Sequence, residues 1–276
     1  MTALEPRPTV DAAAPAAPGA AVPPVQPSLL ERTVLDQQVD ADRQSWGVRS
    51  WLGPLLALAG LIVASGFVAA ALPGGGTGRT VGAAALTIGM ELLLLAVLWA
   101  FGRPLAARGG GWRRALGLDR VRGSDWLPWI TGVGFAFIGR TVVGVVAVAL
   151  TGGRALAEAS NLTGGDSDVV SIVVLVLAAV VLAPVAEELM FRGLILRTFM
   201  HRFSFWPAAL LSTLLFGAFH VYEVETVAGA ITLACSVGMI GLVNCYLVRI
   251  TGRLTPGIMV HATCNALAVA TVLLLA

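Results

Sequence analysis

The sequence predicts an all-α, multi-pass transmembrane helix bundle of seven spans, or eight if the fourth is broken. Three observations predict it. Of the 276 residues, 57% are hydrophobic and 12% charged, with a mean hydropathy of +0.84. A water-soluble domain carries about one-quarter charged residues, so these charges are too few to coat a surface facing water. The apolar mass is Ala, Leu and Val, gathered in runs near the ~20 residues a helix needs to cross the hydrocarbon, not in the short alternating segments of a membrane barrel. Finally, Arg-rich connections alternate with Arg-poor ones along the chain.

Residues 1–48 read as a disordered cytoplasmic tail, interrupted by Pro6, Pro8, Pro15, Pro18, Pro23, Pro24 and Pro27, with at most a short amphipathic helix near Leu29–Val39. The tail lacks the charged start and apolar core of a signal peptide. Residues 49–276 form the transmembrane helical domain, with spans at about 51–72, 81–102, 126–150, 169–199, 206–221, 227–249 and 254–276. The fourth is too long for one straight crossing, and Pro184 in its middle is a candidate kink. The fifth is short, as in a tilted or buried helix.

Orientation follows from Arg. The tail holds Arg7, Arg32, Arg43 and Arg49, and the second connection holds Arg103, Arg108, Arg113, Arg114, Arg120 and Arg122. Arg197 and Arg202 follow the fourth span, and Arg249 and Arg253 follow the sixth. Between these lie connections with only Arg79, only Arg154 (beside Glu158, Asp166 and Asp168), or Glu223 and Glu225 without Arg. This places the N-terminus in the cytoplasm and the C-terminus outside, in the cell membrane. The net charge of +2 gives no reason to expect a nucleic-acid partner. All 18 basic residues are Arg, which removes any Lys nucleophile or Schiff base. Cys235, Cys245 and Cys264 lie in apolar runs without a CxxC pair, so neither a disulfide framework nor a thiolate zinc site is expected.

An ionisable group inside a span is expensive, which makes each one a functional candidate. Glu187, Glu188 and Arg192 occur together in Ala183–Gly193. Glu188 and Arg192 are four apart and share a helix face. Glu187 is turned about 100° from Glu188 and lacks that partner, as a general base in a low-dielectric site would. The plain alternative is a buried ion-pair network that locks helices together. Phe216 and His220 lie one turn apart, as do His261 and Asn265; their alternatives are an interfacial His bound to a carbonyl and polar contacts between helices. Glu91 and Arg140 are expected to form a structural pair or to snorkel to an interface, and His201 to lie at the surface. Two acids, two His and one Asn on three spans converge only around a polar pocket, an inventory for activating water and stabilising an oxyanion.

At these residues the chain resembles the CPBP family of intramembrane proteases, also called the CAAX prenyl protease type II or Abi family. The family's EExxxR motif appears as Glu187-Glu188-Leu-Met-Phe-Arg192, its FxxxH as Phe216-Gly-Ala-Phe-His220, and its HxxxN as His261-Ala-Thr-Cys-Asn265. All three occur in order on apolar spans, over about residues 169–270. The resemblance implies a glutamate-dependent intramembrane endopeptidase acting on a membrane-associated protein or peptide. Glu187 would be the general base, His220 would hold the water, and His261 and Asn265 would form the oxyanion hole. Glu188, Arg192 and Phe216 would support them. Two Glu and two His also make a donor set for zinc. No HExxH helix is present, however, and the family motif is usually read as metal-free, so no cofactor is expected. The alternatives are a non-catalytic chaperone, scaffold or self-immunity protein of the same fold, which would tolerate loss of a Glu or His, and a proton-relaying transporter, which would show repeated halves. The substrate is not legible in the sequence.

Overall fold

The structure is a computed structural model that describes residues 33–42, 48–71, 77–108, 111–159, 173–174, 176–221 and 224–275. Every regular element among them is helical: α1 (Val34–Asp42), α2 (Val48–Ala70), α3 (Thr77–Arg108), α4 (Trp112–Ala115), a 3-10 turn (Gly123–Asp125) leading into α5 (Trp126–Thr151), α6 (Arg154–Glu158), α7 (residues 177–200), α8 (Phe205–Phe219), α9 (Val227–Thr251) and α10 (Thr255–Leu275). Among the described residues three stretches are long and apolar enough to cross a membrane, Ala85–Arg103, Gly123–Thr151 and Val227–Thr251. Leu52–Val68 and Phe205–Phe219 are shorter apolar helices, the second matching the short fifth span.

Polarity is arranged for a lipid surround. α5 turns Phe135, Phe137, Ile138, Val142, Val145 and Leu150 outward, whereas α7 buries Glu187, Glu188, Arg192 and Arg197. Lipid tails solvate an apolar side chain as well as a core does, so charges take the interior. α7 is the centre of the larger core. Its Met190, Phe191, Leu194, Ile195 and Leu196 pack with Phe216 and Phe219 of α8, Met90 and Leu94 of α3, and Leu58 of α2. Ala136 of α5, Ile240 and Leu247 of α9, and Val260 and Cys264 of α10 make a second cluster. Cys245 and Cys264 are buried free thiols, and Cys235 is exposed.

The central helix absorbs its proline by changing pitch. It runs unbroken through Pro184, with π-helical turns at Leu177–Leu182 and Leu189–Ile195 on either side of the α-helical turn Ala183–Glu188. Ala183 donates its N–H five residues back, to Ala178. Pro184 thus stands at the start of an α-helical turn, where a missing N–H is least costly. From Val176 to Met200 there is one passage, so the condition for an eighth span, a break in the fourth, is not met; residues 160–172 and 175 lie outside the described residues.

α1 falls within the segment read as a tail and overlaps the short helix expected near Leu29–Val39, but it is packed against the core. Thr33 caps it: the Asp36 N–H donates to Thr33 Oγ1 at 3.3 Å and the Thr33 N–H to Asp36 Oδ2 at 3.2 Å, a reciprocal cap. Leu35 and Val39 are buried in the main core, and Gln38 Nε2 donates to the Gly252 carbonyl at 3.3 Å. The compact unit begins at Thr33; the rest of the expected tail, residues 1–32 and 43–47, lies outside the described residues.

The Arg-rich segments meet at one end of this unit. Arg249 lies 3.8 Å from Asp36 and Arg253 pairs with Asp125. Arg253 also donates to the Arg120 carbonyl at 2.8 Å, and Arg197 to Gln38 Oε1 at 2.8 Å. Gly117 and Gly252, both at positive φ, bring the connection after α4 against the one after α9, and Leu254 donates its N–H to the Gly117 carbonyl at 3.0 Å. α6 is instead tied to the start of α9, where Thr226 Oγ1 donates to Glu158 at 2.6 Å and accepts from Gly229 at 3.1 Å. Two expectations are corrected here. Arg197 is buried in the last turn of α7, because α1 covers it, and His201 is half-buried.

Candidate active site

Neighbouring residues on a helix point about 100° apart, and on α7 this separates two adjacent carboxylates into two environments. Glu188 is wholly buried. Its Oε1 lies 3.0 Å from Arg192 NH1, one turn on, accepts from Asn244 Nδ2 at 2.8 Å, and faces His261 Nδ1 at 3.1 Å. Glu187 is 4% exposed. Its Oε2 lies 3.7 Å from His220 Nε2 and 3.6 Å from His261 Nε2, and makes no hydrogen bond.

His261 therefore bridges the two acids. A carboxylate paired with Arg192 only accepts, so His261 Nδ1–H donates to Glu188 and Nε2 is turned to Glu187. His220 caps the end of α8 with its Nδ1 2.8 Å from the Phe216 carbonyl. A carbonyl only accepts as well, so Nδ1–H donates there and Nε2 again faces Glu187. Each ring is oriented by the bond it makes away from Glu187. A water oxygen about 2.8 Å from both Glu187 Oε2 and a histidine Nε2 is geometrically compatible with separations of this size.

Phe216 is the apolar floor that brings these groups to one level. Its ring lies 4.7 Å from the His220 ring, 5.6 Å from His261 and 5.1 Å from Phe191, and the Arg192 guanidinium sits 4.4 Å over it, a cation–π contact. Gly241 of α9 makes the room: a Cβ there would stand 2.9 Å from Arg192 NH2 and 3.1 Å from the Phe216 ring. Gly217 of α8 lets the backbone of α9 approach, since its Cβ would meet the Ala234 carbonyl at 2.8 Å.

The structure thus brings Glu187, Glu188, Arg192, Phe216, His220 and His261 together from α7, α8 and α10. Asn265 is placed differently. One turn beyond His261, its Nδ2 donates to the Ala179 carbonyl at 2.8 Å, on the stretch of α7 before Glu187. Asn244 of α9 was missed from sequence, although it binds both Glu188 and the Gly257 carbonyl, the latter at 3.0 Å. The available signal was an Asn inside the apolar sixth span.

One further expectation changes. Glu91 and Arg140 do not pair. Glu91 of α3 is buried next to Glu187, whereas Arg140 of α5 donates from Nε to Ser236 Oγ at 3.2 Å. Arg140 instead lines an apolar groove of about 600 Å³ with Phe137, Ser236, Cys264 and Leu267. That groove is lined by none of Glu187, His220 and His261. Around Glu187 the site is closed, and His220, with 14% of its side chain exposed, is its most accessible histidine. Among the described residues no group of three or more His, Cys, Asp and Glu is arranged to hold a metal ion.

Neither a curated protein nor a solved structure matches the chain. A family model described as "Type II CAAX prenyl endopeptidase Rce1-like" matches residues 169–267, the segment that carries Glu187, Glu188, Arg192, Phe216, His220, His261 and Asn265. Its apolar helices make the chain a membrane protein, and residues 169–267 are similar to the Rce1-like type II CAAX prenyl endopeptidases, a protease family.

Proposed function

We propose that the protein is an intramembrane endopeptidase in which Glu187 is the general base for hydrolysis of a peptide bond in a membrane-associated protein or peptide. One observation carries the reading: a buried carboxylate with no hydrogen bond at Oε2 faces two histidine ring nitrogens from two other helices, at 3.6 and 3.7 Å. Glu187 takes a proton from a water that His220 Nε2 holds, and the water oxygen forms a bond to the amide carbon. The carbonyl electron pair moves onto oxygen as an oxyanion, stabilised by His261 and by Asn265. Asn265 has a second amide N–H besides the one bound to Ala179. Collapse of the oxyanion breaks the C–N bond, and the proton held by Glu187 passes to the leaving amine.

Glu188, Arg192, Asn244 and Phe216 are supports in this scheme. They fix the orientation of His261 and balance the buried charge. The reaction is metal-independent and the protease core spans about residues 169–270, with the N-terminal side of the chain in the cytoplasm. The test is a comparison of membrane-protein fragments in cells that carry wild type or Glu187→Gln. The neutral isostere is expected to fold and to abolish cleavage, while a chelator leaves wild-type cleavage unchanged. Full cleavage by Glu187→Gln would remove Glu187 as the base, and full biological activity without cleavage would favour a chaperone or scaffold.

A further inference from the structure

α5 carries one charge inside its span. Arg140 stands near the middle of Gly123–Thr151, a stretch long and apolar enough to cross a membrane, and is half-buried. Its guanidinium donates from Nε to Ser236 Oγ at 3.2 Å, and among the described residues no carboxylate pairs with it. The acids inside the spans, Glu91, Glu187 and Glu188, are all buried, and none of them lines the groove that Arg140 enters. A guanidinium has five N–H donors and no acceptor, and an unpaired charge at this depth is expensive unless an anion meets it. Arg140 therefore marks a place for an anion.

The shape of the groove says what carries that anion. It follows α5 from Val133 to Val148, beside Ser236 of α9 and Cys264 and Ala268 of α10. That length of helix rises about 22 Å, and Arg140 stands halfway along it. An amphiphile has its charge at one end and would need the cation at the mouth of the groove, at the membrane surface. A groove that is apolar on both sides of a central cation matches a helix with apolar surface above and below one acid. Gly144 and Ala268 let a helix backbone come close; a Cβ at Gly144 would meet only Leu156 Cδ1, at 3.9 Å. We propose that the groove between α5, α9 and α10 docks a transmembrane helix of another protein that carries an Asp or Glu at mid-span, its carboxylate paired with Arg140. A second copy of this chain does not fit, because among the described residues each acid in its spans is buried. None of Glu187, His220 and His261 lines the groove, so the inference does not rest on Glu187 being the base.

The experiment uses the full chain in phosphatidylcholine vesicles. The probe is a synthetic transmembrane peptide of Leu and Ala with a single Glu at its centre. Binding is read as energy transfer from the labelled peptide to an acceptor on the N-terminus of the protein. The Glu peptide is expected to bind about 10- to 100-fold more tightly than the same peptide with Gln, the range for a hydrogen bond to a charged group. Moving the Glu to one end of the peptide is expected to remove that preference. Arg140→Gln takes away the charge and is expected to bind the Glu and Gln peptides alike. Gly144→Leu keeps Arg140 but places a bulky side chain in the groove, and is expected to weaken the Glu peptide by a similar factor. If Arg140→Gln fails to fold, Gly144→Leu and the position of the Glu decide. Equal binding of the Glu and Gln peptides by wild type, a preference kept by folded Arg140→Gln, or full-strength binding by folded Gly144→Leu each overturns the assignment. So does an end-placed Glu that binds as tightly as the central one. Displacement of the peptide by oleate at equal mole fraction would give the groove to a fatty acid and overturn it as well.

Discussion

Replacing Arg192 by Met should destabilise the protein far more than it changes any contact with substrate. Both members of the Arg192–Glu188 pair are wholly buried, 3.0 Å apart. Methionine fills much of the guanidinium's volume but leaves the Glu188 charge without its cation. Breaking a buried pair on one side costs about 3–5 kcal/mol, whereas an exposed pair at helical spacing contributes about 0.3–0.5. Glu188 keeps Asn244 and His261 as donors, which argues for the lower part of the range. Against a total stability of about 5–15 kcal/mol for a typical domain, even about 3 kcal/mol is a large fraction. The assay is denaturant or thermal unfolding of the full chain in detergent micelles or bicelles. The double variant Glu188→Met/Arg192→Met separates charge from packing. Removing both charges should recover part of the loss, while one donor on Asn244 and the His261 ring remain unpaired, a residual of about 1–3 kcal/mol. Wild-type stability in Arg192→Met alone would refute the argument, since it would mean that Glu188 needs no cation.

Gly241→Ala should lower stability by about 1–3 kcal/mol, the usual range for overpacking, because the new Cβ stands 2.9 Å from Arg192 NH2; an unfolding curve that overlays wild type would show that the guanidinium moves freely. In a chain whose three native Cys are replaced, a cysteine introduced at Gly123, beside the Arg-rich end, should react with an impermeant reagent only after permeabilisation. One introduced at Gly152, at the far end of α5, should react in intact cells, and the opposite pattern would invert the proposed topology. Both Gly123 and Gly152 are exposed, so access to the reagent is set by the membrane.

The sequence by itself determined the class and which residues make up most of the candidate site. Charge scarcity and ~20-residue apolar runs required helices in lipid, because each backbone polar group must bond within its own segment there. Arg alternation anticipated which connections gather at one end, as Arg249, Arg253 and Arg197 do. The 100° turn between Glu187 and Glu188 anticipated their separate surroundings. These are local properties, fixed by composition, charge and helical spacing within one segment.

What only the tertiary structure decided lies between segments. Sequence spacing carries no information about which helix a side chain meets. Charge alone suggests a pair of Glu91 and Arg140, or snorkelling of each, yet α3 buries Glu91 next to Glu187 while α5 takes Arg140 to Ser236. Asn244 looked like one polar residue in an apolar run until the α9–α10 packing set it between Glu188 and Gly257. Asn265 shares a helix face with His261, but the crossing of α7 and α10 gives its amide to Ala179. The π turns around Pro184 decided where the EExxxR face points, since each wide turn rotates the residues beyond it by a fraction of a turn. Only the three-dimensional packing of the helices sets these contacts, because helix–helix packing in lipid depends on the shape of small residues such as Gly217 and Gly241, which hydropathy does not register.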